Sequence, residues 1–301
     1  MKRLLIGLFL MVVGAATVHS AADKDPKPGK NPKPDKPAKA ATPEKKPSAP
    51  LFADKELAAV VREELKKGEK EELKEEELQN IYFLRGKGKK IKNLAGLEKC
   101  VNVELIDLAG NDIADLKPLS GLVNVQSLDL GHNQIVDVAP LAPLVKLQYL
   151  KLESNRIENI QPLKDLKKLM TLDLSKDKVR SLEAVSGLEK LVSLYLEGDQ
   201  VSDLSPLKGL KWIESLDLRD NQVSDLSPLS GMTELRYTML EGNKVTDLGV
   251  LVAMAKKDAE GDRRFAPYWF LYLKGNPLTE TAVKQQVAEL KSYNVRVELE
   301  K

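Results

Sequence analysis

Steps of 22 residues from Asn111 land on Asn133, Asn155, Asp177, Asp199, Asn221 and Asn243, and between these markers the chain respells one line, LxxLxLxxNxIxDLxPLxxL. Self-similarity at a short fixed period constrains the fold before any single motif does. One unit has too little apolar surface to bury alone, whereas a stack of units makes a continuous core. Each recurring position has a physical task. The paired leucines (Leu128 and Leu130, Leu150 and Leu152, Leu172 and Leu174) alternate with other residues, the period of a short strand buried on one face. The marker Asn both donates to and accepts from the backbone where the chain leaves the strand. Asp177 and Asp199 can only accept, so their turns are expected to be less well tied. A β-branched residue follows (Ile113, Ile135, Ile157, Val179, Val201, Val223, Val245), and then a capped single turn at Asp115, Asp137, Asp203 and Asp225. Its Pro is tolerated because a first helical turn has N–H groups to spare.

On these residues the chain resembles the leucine-rich repeat family, and its 22-residue period with the DLxPLxGL segment is similar to the internalin-type subclass. About seven in-register copies run through residues 81–255, with a further one at 268–278. The resemblance implies an α/β solenoid, a horseshoe with a parallel concave sheet, 3₁₀ turns on the convex side and a helical cap at each end. It also implies protein recognition as the usual use of the scaffold.

The ends fit that expectation. Residues 51–80 place Leu57, Val60, Val61 and Leu65 on one helical face, as an N-terminal cap with one apolar side requires. The first repeat is degenerate, with Lys89 at the marker and Gly86 at a leucine position. Residues 279–301 set Ala282, Val283, Val287 and Leu290 at helical spacing ahead of VRVEL, a C-terminal cap. Within the repeat region, 81–278, the pattern is interrupted at 256–266. There the convex turn lengthens into a helix over Leu248–Lys257, DAEGDRR reads as a charged surface loop, and Phe265, Pro267, Tyr268 and Trp269 lead back to a strand. Counting back from Asn276 puts Tyr268 at a core position. Arg263, Arg264, Phe265 and Trp269 either seal the end of the core or form a lip over the concave face.

Ahead of the caps, Lys2 and Arg3, the apolar run Leu4–Val13 and the small residues Ser20, Ala21 and Ala22 have the layout of a signal peptide, 1–22. Retained, the same segment would be a membrane anchor. Residues 23–50 hold eight Pro and eight Lys and no large apolar side chain, so they read as a disordered linker of charge +4. That linker and the two basic residues before it account for more than the formal net charge of +2, and residues 51–301 are left at −4. Such a domain does not have the basic balance of a nucleic-acid binder. Cys100, the only cysteine, falls in register with Leu122, Leu144 and Leu166 and is expected in the core.

Chemistry-bearing motifs are scarce. His132 is the sole histidine after His19, and no nucleophile set, metal motif or phosphate loop is spelled out; GKGKK at 86–90 lacks P-loop spacing. Asp107, Asp129, Asp173 and Asp217 share a solvent-facing column in which neighbours are close enough to share a cation, but Lys151 interrupts it and no metal is expected. The exposed columns otherwise show apolar residues where a polar face is the rule. Tyr237, Met239, Phe270 and Tyr272 form a two-by-two patch, Tyr149 and Tyr195 lie further along, and Arg263, Arg264 and Trp269 flank it. The expectation is a non-enzymatic, exported, monomeric protein without cofactor that binds a macromolecule, first of all a protein, on its concave face. The alternative is a carbohydrate or cell-wall polymer stacked on Tyr149, Tyr195, Tyr237, Tyr272 and Trp269. Membrane contact is expected only through the N-terminal segment, if it is retained.

Overall fold

Three residues are all that each period contributes to the sheet. In the computed structural model, which describes residues 50–300, the strands are β1 Phe83–Arg85, β2 Leu105–Asp107, β3 Ser127–Asp129, β4 Tyr149–Lys151, β5 Thr171–Asp173, β6 Ser193–Tyr195, β7 Ser215–Asp217, β8 Tyr237–Met239, β9 Phe270–Tyr272 and β10 Arg296–Glu298. They form one parallel sheet in sequence order. The expected signal peptide, 1–22, and the expected linker, 23–50, lie outside the described residues except for Pro50.

The middle residue of each strand faces the core: Leu128, Leu150, Leu172, Leu194 and Leu216 are fully buried. On the other side of that core lie short 3₁₀ turns such as Lys117–Leu119, Ala139–Leu141 and Ser205–Leu207, each with Pro in its first turn. The preceding Asp caps them through an Asx bond, Asp115 Oδ1 accepting from Lys117 N at 2.9 Å and Asp203 Oδ1 from Ser205 N at 2.8 Å.

The marker column is a ladder that ties each repeat to the one before it. Asn133 Oδ1 accepts from Ile113 N at 3.0 Å, and its Nδ2 donates to Leu108 O at 3.1 Å and Leu130 O at 2.9 Å. Asn155, Asn221 and Asn243 repeat the arrangement. Asp177 and Asp199 keep the acceptor half, from Ile157 N and Val179 N at 2.9 Å each. The other carboxylate oxygen of both is buried with no hydrogen-bond partner, the looser tie that the sequence suggests.

At the N-terminal end, helix α1, Lys55–Glu64, is capped by Asp54, whose Oδ1 accepts from Leu57 N at 3.0 Å. Its Oδ2 accepts from Lys92 N and Asn93 N at 2.8 and 3.0 Å, so one carboxylate starts the helix and ties it to the first repeat. The degenerate Gly86 is explained here. A Cβ at that position would stand 3.1 Å from a methyl of Val60 and 2.9 Å from one of Leu108, so the missing leucine makes room for the cap's apolar face.

The C-terminal end departs from the sequence reading in three places. Helix α2, Gly249–Glu260, runs three residues past the expected Lys257 into the stretch read as a surface loop. Asp258 in its last turn is no surface charge. It is 8% exposed, and its carboxylate accepts from the N–H groups of Arg264 (2.8 Å), Phe265 (3.2 Å) and Ala266 (2.9 Å). The strand entry is also out of phase with the count from Asn276. A 3₁₀ turn at Ala266–Tyr268 turns Tyr268 outward, 57% exposed, and sends Trp269 fully into the core. Thr238 makes this possible. It stands in the buried column that its neighbours fill with Leu216 and Leu271, leaves volume for the indole, and accepts from Trp269 Nε1 at 2.8 Å. Finally, Ala282–Gln286 is a π-helical turn leading into helix α3, Val287–Ser292. The wider turn puts Ala282 and Val287 on one face and leaves Val283 43% exposed, contrary to the α-helical spacing.

Candidate functional site

Strand register turns the sequence columns into rows of neighbours. Tyr237 pairs with Phe270 and Met239 with Tyr272 on adjacent strands, so the apolar two-by-two patch is assembled as spelled. Its first row is a stack. The rings of Tyr237 and Phe270 lie 5.2 Å apart at an interplanar angle of 16°, and Tyr237 is 45% exposed. The row continues onto the last strand, where Arg296 pairs with Phe270 and holds its guanidinium 4.6 Å from the ring centre. Beside it, Arg236 lies 4.9 Å over the ring of Tyr268. Neither arginine figured in the sequence reading, because a repeat pattern marks what is apolar or fixed and both occupy variable positions.

The other aromatic candidates are not brought into the patch. Tyr149 stands on β4 with the Lys151 ammonium 5.7 Å over its ring, and burial pushes its phenol above the ordinary value. Tyr195, on β6, is separated from Met239 by all of β7. It lines a shallow hollow of about 310 Å³ together with Asp173, Glu197, Asp217, Arg219 and Met239.

Of the two alternatives left open for the insertion, Trp269 and Phe265 take the buried one. Trp269 is 0% and Phe265 3% exposed, their rings 5.4 Å apart in the core. Arg264 is ion-paired with Glu234, and Arg263 bonds back to Ala259 O at 3.1 Å. Arg264 and Phe265 line a hollow of about 240 Å³ with Met232 and Met254, under α2 rather than on the concave sheet. Phe265 and Trp269 thus belong to the core, whereas Arg263 and Arg264 stay exposed at its edge.

The acidic column is likewise less open than its spelling. Asp217 is 3% exposed beneath Arg219, whose Nη2 reaches Asp217 Oδ2 at 2.5 Å and Glu197 Oε2 at 2.8 Å, and this pairing keeps the guanidinium charged throughout. From β2 to β8, the outward strand residues and those two positions further on carry seven carboxylates: Asp107, Asp129, Glu153, Asp173, Glu197, Asp217 and Glu241. Against them stand Lys151 and Arg219, a formal charge of −5. Glu153 is crowded into the space over Gly131, where a Cβ would be 2.5 Å from its carboxyl. Burial first and Asp173 second raise its pKa. Among the described residues no group of three or more His, Cys, Asp or Glu is placed to hold a metal ion. Cys100 is buried and its thiol pushed up to about 12 by that burial, so it is core and not a nucleophile.

An open solenoid of 22-residue strand–turn units with a marker ladder defines the class: a leucine-rich repeat protein. Family models described as leucine rich repeat match residues 145–201, 101–143, 123–165 and 209–226. An internalin of Listeria monocytogenes (inlF) superposes with a TM-score of 0.64 at 28% identity over 83% of this chain and 76% of that one. Internalin C2 of the same organism does so at 0.53 with 32% identity, over 62% of this chain and 92% of that one. The repeat ectodomain of the plant receptor kinase GASSHO1/SCHENGEN3 from Arabidopsis thaliana shares the fold alone, with a TM-score of 0.58 at 19% identity, over 75% of this chain and 28% of that one. No curated protein matches the chain by sequence. The chain belongs to the internalin-type leucine-rich repeat family.

Proposed function

We propose that this protein is a non-enzymatic, exported scaffold that binds a protein partner on its concave face, at the patch of Tyr237, Met239, Phe270 and Tyr272. The observation that carries the reading is the Tyr237–Phe270 stack, an aromatic pair held on rigid adjacent strands with Tyr237 45% exposed. Large aromatics in fixed positions are the residues that dominate binding energy, and rigid strands lose little entropy on association. Membership of a family whose repeat is an interaction scaffold supports the same reading. Tyr149 on β4 and Tyr195 on β6 lie outside the patch, and Trp269 is withdrawn into the core. Export rests on the signal-like residues 1–22, and N-terminal sequencing of the mature protein tests it.

The binding test places a photo-cross-linking residue at Met239 and captures partners from an envelope extract. The same is done in a Tyr237→Ser, Phe270→Ser, Tyr272→Ser background. We expect a discrete protein adduct that the triple variant loses while its circular dichroism is unchanged. An adduct that survives, or binding confined to sugars on a glycan array, overturns the reading. Unfolding of the triple variant assigns these side chains to the cap and moves the site elsewhere.

A further inference from the structure

The arginines at this end of the sheet are handled in two different ways. Arg219 and Arg264 are neutralised by carboxylates, Arg219 by Asp217 and Glu197, Arg264 by Glu234. Arg236 and Arg296 lie instead on aromatic rings, at 4.9 and 4.6 Å. Among the described residues neither of these two has a carboxylate within ion-pair distance. A guanidinium held over a ring face makes no hydrogen bond to it through its own edge, so its N–H fork stays available to a carboxylate bidentately. The contact also restricts the side chain before binding, so less rotamer freedom is left to lose on association. Arg296, Phe270 and Tyr237 therefore present one continuous cation–ring–ring row across three strands, with a free cation at its end and an exposed ring at its start.

We propose that the sheet end formed by β8, β9 and β10 takes an acidic segment of the protein partner, its carboxylates on Arg236 and Arg296 and a neighbouring apolar side chain on the Tyr237–Phe270 rings. The inference rests on the concave-face reading above and names the chemistry of the partner. The carboxylates further along the face do not forbid it. Strands lie about 4.8 Å apart, so Asp173 on β5 is about 14 Å from β8, beyond the screening length of about 8 Å at physiological salt. Asp217, between them, is already paired with Arg219. The nearer acids, Glu241 after β8 and Glu298 on β10, stand two positions beyond Met239 and Arg296 along their strands, so the segment's carboxylates are placed at the Arg236 and Arg296 side of the patch. Acidic recognition is thus confined to this end of the horseshoe.

The test uses the full chain and three fluorescein-labelled 12-residue peptides with a central Tyr-Leu flanked by Glu, by Ser or by Lys, read by fluorescence anisotropy at 50 and 300 mM salt. The Glu peptide is expected to bind about ten-fold more tightly than the Ser peptide at low salt, with the advantage shrinking at high salt. Arg236→Glu with Arg296→Glu is expected to erase that advantage, and Arg236→Lys with Arg296→Lys to keep part of it, because charge persists without the planar fork. Tightest binding by the Lys peptide overturns the proposal in favour of the central acids. Equal binding by the Glu and Ser peptides, or a Glu preference that survives charge reversal, rejects the acidic segment and leaves the concave-face reading to the cross-linking result. No binding by the Glu peptide overturns the proposal whatever cross-linking shows.

Discussion

Asn133, Asn155 and Asn221 each place an amide nitrogen between two backbone carbonyls, and at Asp177 and Asp199 a carboxylate oxygen stands in the same place without a donor. Burial is the largest cause of the rise in both pKa values, to about 8 for Asp177 and about 7 for Asp199, helped by the charges of Asp199 and Asp173 at the first and of Asp173 at the second. A protonated carboxyl regains one donor and so imitates half of the amide. The unfolded chain releases these protons near the ordinary value of 3.8, whereas the folded chain holds them to about 8 and about 7. The stability they support is therefore full in acid and is lost as pH rises from about 4 to about 8. The depressed carboxyls Asp54, Glu77, Asp203 and Asp247 act in the opposite direction and only at the acid end of the range. Urea denaturation at pH 5.5 and 8.5 should show the wild type weaker at the higher pH. Asp177→Asn with Asp199→Asn should remove most of that difference and add about 1–3 kcal/mol per site at pH 8.5. A slope unchanged in the double variant would refute the account. The acceptor half of the ladder is legible from spacing alone. The held proton is not, because it depends on depth of burial and on which acids face one another.

The cap at β9 shows where reading by register fails. Counting from Asn276 assumes that the chain enters the strand as in the other repeats, and the 3₁₀ turn Ala266–Tyr268 moves the buried residue one place, to Trp269. One signal did stand in the sequence, a Thr at 238 in a column of leucines. A polar residue there asks for a buried donor, and the indole N–H is that donor at 2.8 Å. Trp269→Ala should cost about 3–5 kcal/mol through the cavity it leaves and the orphaned Thr238 hydroxyl. Thr238→Leu, which restores the repeat's own spelling, should also destabilise, by about 1–3 kcal/mol, because the indole already fills that volume. Thermal unfolding of the two variants decides it, and a more stable Thr238→Leu protein would show that the two residues are not matched. Val283 follows the same lesson, since a π-helical turn breaks the spacing on which the α-helical pattern depends. The patch at Tyr237 and Phe270 was legible because strand register is fixed by the repeat. Arg236 and Arg296 were not, since their meaning comes only from the rings beneath them.

At the scale of the molecule the period is a mechanical unit. Each repeat bonds chiefly to its neighbours, through the strand ladder and the marker ladder, so stability is a near-sum of units and interfaces. Removing the 22 residues Gln134–Asn155 joins Asn133 to Arg156 with every column still aligned. That shortened chain should fold cooperatively with a urea m-value lower by roughly a tenth. An 11-residue deletion from the same start should not fold, because it sets strand against turn. Equal behaviour of the two deletions in circular dichroism would contradict a register-built core. The chain has two tryptophans, and the fold places them at opposite extremes: Trp212 is 58% exposed and Trp269 fully enclosed behind the last strands. Its intrinsic light is therefore split into a solvent-facing red component and a shielded blue one. Iodide should silence only the first, and a Trp212→Phe chain should glow blue until the seal at Thr238 opens, making the protein an optical gauge of its own closure.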